Sequence, residues 1–137
     1  MKNKNLAGGL FAHKPTPLTI KESTLSAQIA RWLDARGIYN DRLQCGQFQT
    51  PAGNWMRGSK NGTPDRFAII RGQIIFVEVK RAGQKSNDAQ TNQQNILRYS
   101  GAIVIVADSL DKFISEFSAI RAIIEESKQN KEMKIYD

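Results

Sequence analysis

Two stretches of the chain are apolar enough to be strands buried on both faces. RFAII (66–70) and QIIFVEV (73–79) are dense in β-branched and aromatic residues and flank Arg71-Gly72, which predicts a tight hairpin. AIVIV (102–106) predicts another buried strand. Helical periodicity governs two further regions. Leu25, Ile29, Trp32 and Leu33 fall on one stripe, predicting a helix from near Thr19 to Gly37. Leu110, Phe113, Ile114, Phe117, Ile120, Ile123 and Ile124 form the apolar face of a last helix, capped by Asp108 or Ser109. The segment 89–100 reads as a polar helix ended by Gly101. DRLQCGQF (41–48) reads as a strand followed by a turn at 51–54, and WMRGSKNG (55–62) as a flexible basic segment. Residues 1–18 lack periodicity and read as a mobile basic arm, whereas 127–137 read as a charged tail that frays. The expectation is one α/β domain over 19–126, ordered α-β-β-β-α-β-α, with a mixed central sheet flanked by helices.

One position breaks the apolar pattern. Glu78 lies inside the second hairpin strand, where an uncompensated carboxylate costs several kcal/mol, roughly. A two-residue turn at Arg71-Gly72 pairs Ile70 with Gln73, and that register places Asp65 directly opposite Glu78. Lys80, two residues on, points to the same face. Two facing carboxylates and an ammonium at a strand end suit a hard cation, Mg²⁺ or Mn²⁺, with the lysine orienting an attacking water. The Glu-x-Lys spacing alone says little, because Glu126-x-Lys128 and Glu132-x-Lys134 repeat it in the charged tail. Only the combination with Pro64-Asp65 and the hairpin register gives it weight. The competing explanation is a partly buried ion pair from Lys80 to Glu78 or Asp65, which leaves the second acid unexplained.

Charge and composition narrow the chemistry. Across 137 residues the formal charge is +7, with a pI near 9.8, which favours polyanionic partners, nucleic acid first. A single cysteine, Cys45, and a single histidine, His13, exclude disulfide frameworks, cysteine–histidine zinc sites and histidine-based triads. No apolar run reaches the ~20 residues of a membrane span, and the expected location is the cytoplasm. Glu22 falls on the inward stripe of the first helix, within reach of a metal or its water. Thr19-Ile20-Lys21-Glu22 also fits a capping box. Gln90 stands on the first turn of the amide-rich helix, just after the loop that leaves Lys80.

Taken together, Gly62-Thr63-Pro64-Asp65, Phe76-Val77-Glu78-Val79-Lys80, Gln90 and Gly101 ahead of a Val/Ile strand resemble the virus-type replication-repair nuclease (VRR-NUC) family. That family belongs to the PD-(D/E)xK superfamily, so the resemblance implies a restriction-endonuclease-like αβββαβ core. Glu22 occupies the family's first-helix glutamate position, and Arg42 and Gly46 match the Arg and Gly that follow that helix. The similarity covers roughly residues 20–117. It departs at Gln93 and Gln94, where an aromatic and an aliphatic residue are usual, and in a longer, more basic loop before Gly62. The resemblance implies a Mg²⁺- or Mn²⁺-dependent endonuclease, in stand-alone members a homodimer acting on branched DNA such as four-way junctions. Carried over, Asp65, Glu78 and the Val79 backbone carbonyl hold the metal, and Glu22 binds its water or a second ion. Lys80 positions the hydrolytic water, and Gln90 orients Lys80 or the phosphate.

Arg42, Arg57, Lys60, Arg66, Arg81 and Lys85 flank these motifs and are the expected contacts to DNA phosphates. Trp55 and Met56 read either as packing residues or as a wedge at an unpaired base. A non-catalytic nucleic-acid-binding module, a sequence-specific restriction-type enzyme and an RNA endonuclease are the competing functions. Binding alone, however, needs no acidic cluster.

Overall fold

The computed structural model describes residues 19–136, so the expected arm at 1–18 lies outside the described residues. The chain is a mixed α/β fold. Its elements are α1 (Glu22–Asp34), β1 (Asn40–Arg42), β2 (Gln47–Gln49), β3 (Trp55–Arg57), β4 (Arg66–Ile70), β5 (Gln73–Val79), α2 (Asp88–Tyr99), β6 (Ile103–Ala107) and α3 (Leu110–Tyr136). Four strands form the main sheet in the order β1-β4-β5-β6, and β2 with β3 forms a separate antiparallel ribbon. No helix among the described residues is long and apolar enough to cross a membrane.

The hairpin at the centre sets the register. Ile70 faces Gln73 and Arg66 faces Val77 across the antiparallel β4–β5 pair. Arg71 and Gly72 both adopt positive φ, 48° and 81°, the conformation that a two-residue turn matched to strand twist requires. β6 then joins β5 in parallel, Glu78 beside Val106, with α2 as the crossover. Ile75, Val77 and Val79 alternate onto one face of β5 and are fully buried with Leu25, Ile29 and Leu33 of α1 and Phe113 and Phe117 of α3. Trp32 closes this layer edge-on against Phe113 and Phe117, with ring centroids at 5.9 and 5.7 Å.

Four local expectations are corrected. The strand expected at 41–48 is two short strands, interrupted at Gly46, whose φ of 74° breaks the extended run. The segment expected to be flexible at 55–62 contains β3, paired with β2 through Phe48 opposite Met56. The charged tail is not separate: α3 continues to Tyr136, and Arg71 on the hairpin turn meets Glu132 at 2.8 Å and Glu125 at 3.7 Å. Finally, α1 starts at Glu22 with Lys21 as N-cap and no side-chain cap bond, so the Thr19–Glu22 capping box does not form. That leaves the Glu22 carboxylate free to face the sheet end.

Candidate active site at the end of β5

Asp65 sits one residue before β4 yet extends its ladder. Its carbonyl accepts the Leu43 N–H at 2.8 Å, and its side-chain Oδ2 accepts the Val79 N–H at 2.8 Å. The carboxylate is thereby fixed beside the end of β5. The loop carrying it is anchored by Gly62 (φ +83°), which lies against the start of α2. A Cβ there would meet the Ala89 carbonyl and come within 3.0 Å of the Gln90 nitrogen. Only glycine permits that approach.

Glu78 faces away from Val77 and Val79, toward α2, and is 1% exposed. Its Oε1 accepts the Gln90 Nε2–H at 3.0 Å, and Lys80 Nζ lies 3.8 Å from the same oxygen. Its Oε2 is buried with no partner. Burial first, then the Asp65 charge, push the Glu78 carboxyl up to about 8, with Lys80 opposing them. Both causes favour the protonated form of Glu78.

Gln90 is engaged by Glu78 and by its own helix cap. The half-buried side chain bonds Glu78 rather than Lys80: Nε2 donates to Glu78 while Oε1 accepts the Asn87 N–H at 3.0 Å, and Asn87 Oδ1 in turn accepts the Gln90 N–H at 2.9 Å. This reciprocal capping box locks the amide before it reaches the acid. Asn87 was missed from the sequence, although Asn87-Asp88-Ala89-Gln90 carries the Asn-x-x-Gln spacing that signals it. Gln94, one of the two departures from the family pattern, is buried and donates to Ser86 Oγ at 2.9 Å, tying α2 to the loop that follows Lys80.

A cleft of about 160 Å³, lined by Glu22, Ser23, Ser26, Arg42, Asp65 and Val79, opens onto Asp65. A second, of about 440 Å³ and lined by Arg42, Leu43, Gln44, Cys45 and Asp65, adjoins it. Glu22 lies in the first cleft. However, no group of three or more acidic, histidine or cysteine side chains among the described residues is arranged to hold a metal, so Glu22 does not complete a triad. Arg42 is exposed at both clefts, and Arg57, Lys60, Arg81 and Lys85 are exposed nearby in sequence. Arg66 is the exception and corrects the expected phosphate contact. It is 6% exposed, and its guanidinium donates to Ser26 Oγ at 3.3 Å and Asn40 Oδ1 at 2.9 Å. It ties α1 to β1 and β4 from inside, where no phosphate reaches.

Comparison with protein-family models, curated proteins and solved structures found no match to this chain.

Proposed function

We propose that the protein is a Mg²⁺- or Mn²⁺-dependent endonuclease that hydrolyses phosphodiester bonds in DNA. One observation carries this reading: a fully buried Glu78 with an unpartnered oxygen is coupled to Asp65, which lines a cleft together with Glu22 and Arg42. An ion pair with Lys80 does not account for it, because that contact engages only Oε1. Retaining two mutually repelling acids costs stability, and a hard cation is what relieves them. The donor set fits such an ion. Mg²⁺ is held by one or two carboxylates and keeps several waters, which Asp65, Glu78 and the Val79 carbonyl provide without a third acid.

When bound, the ion supplies Lewis-acid polarisation of the phosphoryl oxygen and a more acidic water. The chain does the rest. Gln90 keeps Glu78 aimed at the ion, and Glu22 lines the cleft where it can accept from water. Lys80 places a positive charge where the leaving oxygen gains negative charge, and Arg42 neutralises the backbone phosphate. The sequence resemblance to VRR-NUC proteins adds branched DNA as the preferred substrate, a homodimer as the working unit and a restriction-endonuclease-like core; the cytoplasm is proposed as the location from the lack of a long apolar run.

The test incubates the protein with duplex, flap, single-stranded and four-way-junction DNA, with Mn²⁺ or with EDTA. The expected outcome is Mn²⁺-dependent cleavage that Asp65→Ala abolishes and Lys80→Ala strongly slows, with paired incisions on the junction. Absence of cleavage, or cleavage untouched by both substitutions, would refute the nuclease reading.

A further inference from the structure

The β2–β3 ribbon stands outside the main sheet and carries a face of unusual composition. Gln47 lies opposite Arg57 and Gln49 opposite Trp55, so these four side chains share one face. All four are exposed, and Trp55 is 70% exposed. The packing alternative for Trp55 and Met56 is thereby corrected, since Met56 on the other face is also 50% exposed. From Leu43 to Pro64 the chain has no acidic residue, while Arg57 and Lys60 are cationic.

The ribbon is also rigidly joined to the cleft. Gly58 N–H donates to the Gly46 carbonyl at 2.7 Å and Ser59 N–H to the Gln44 carbonyl at 2.7 Å. Gly58 packs so closely that any Cβ would run into the Gln44 carbonyl. Cys45 Sγ bonds the Thr63 carbonyl at 3.0 Å. Gln44 and Cys45 themselves line the cleft that ends at Asp65. The ribbon therefore grows out of the wall of the candidate active site.

We propose that this face is a stacking platform for unpaired DNA bases, which presents a distorted or single-stranded segment to the Asp65 cleft. Trp55 offers its ring to a base, Arg57 meets the adjoining phosphate, and the Gln47 and Gln49 amides meet base edges. Base–aromatic stacking combined with a basic, acid-free surface is how sequence-tolerant single-strand binding works. A protein partner fits less well, because a lone aromatic ringed by amides and a guanidinium lacks the apolar centre of a stable interface. The inference rests on the DNA reading of the neighbouring cleft, but not on its cleavage chemistry.

The test measures binding in EDTA, by fluorescence anisotropy, of a labelled mixed-sequence single strand and of the same sequence as a full duplex. Trp55→Ala is expected to weaken single-strand affinity by about 5- to 150-fold and duplex affinity by less than about 2-fold, with Trp55→Phe retaining most of the single-strand binding. Single-strand binding should also quench tryptophan emission in wild type and not in Trp55→Phe, where only Trp32 remains. An unchanged thermal midpoint in Trp55→Ala verifies that the fold is intact. Equal affinity of wild type and Trp55→Ala for the single strand overturns the platform, as does an equal loss on duplex. If wild type cuts DNA with Mn²⁺ while Trp55→Ala binds normally, the platform fails and the nuclease stands. If wild type binds neither DNA, both fail. A mass that falls in Trp55→Ala with DNA affinity unchanged assigns the face to self-association and overturns the proposal.

Discussion

Replacing Glu78 by Gln is a nearly isosteric change with a calculable consequence. The glutamine keeps an acceptor for Gln90 and puts an N–H donor at the unpartnered oxygen, beside Asp65. In wild type the Glu78 carboxyl titrates at about 8 in the native state against an ordinary 4.5. An acid with a raised native pKa holds its proton more tightly folded than unfolded. Its contribution therefore favours the fold below the ordinary value and is lost as pH rises toward the native one. Across that interval stability falls by ~1.36 kcal/mol per pH unit, of order 5 kcal/mol in total. At 1% exposure, solvent screening does little to reduce it. Urea unfolding in EDTA at pH 4, 5, 6, 7, 8 and 9 reads the effect. The two proteins should be equally stable to within ~1 kcal/mol at pH 4, and Glu78→Gln should gain steadily until the gap levels off near pH 8. A gap that is constant across this range would show that Glu78 is already ionised in the native protein, and the argument built on it would be wrong.

Lys80→Ala should lower the cleavage rate about 10²- to 10³-fold while leaving DNA affinity in EDTA within about 2-fold, as a residue acting on developing charge does; equal losses in both would make Lys80 a binding residue. Gln90→Ala removes the donor to Glu78 and half of the Asn87 capping box. It should cost roughly 1–2 kcal/mol by thermal denaturation and weaken Mn²⁺ binding about 10- to 100-fold. Arg42 and Arg66 should separate cleanly. Arg42→Ala should leave stability unchanged and lower the salt slope of DNA binding by about 1, whereas Arg66→Ala should destabilise the fold by roughly 2–4 kcal/mol through loss of its buried contacts. A salt slope altered by Arg66→Ala in the intact fold would contradict its interior placement.

Much of this arrangement was legible because β-structure converts sequence spacing into position. The two-residue turn at Arg71-Gly72 fixes the pairs along β4–β5, and that register carries Asp65 to Glu78. The same alternation already contained the fate of Arg66. It stands opposite Val77, on the face that packs under α1, so reading it as a surface cation ignored its own register. The ribbon was hidden because Gly46, Gly53 and Gly58 bound its short strands, leaving three residues in each. The full length of α3 was hidden for another reason. Its apolar stripe ends near Ile124, and beyond that Glu125 and Glu132 both meet Arg71, the latter a pairing across 61 residues that no local pattern reveals. At the site, spacing identified Gln90 but not its task. Whether an amide turns to Lys80 or to Glu78 depends on the capping box that holds it.

The central claim is that Asp65 and Glu78 form a hard-cation site, and calorimetric titration of Mn²⁺ into the metal-free protein at pH 7 tests it most directly. Run in two buffers of different ionisation enthalpy, it should show saturable binding with close to one proton released per ion, because Glu78 must give up the proton it holds. Binding should disappear in Asp65→Ala and Glu78→Gln. Absence of saturable binding, or binding of equal strength in both variants, would contradict the account.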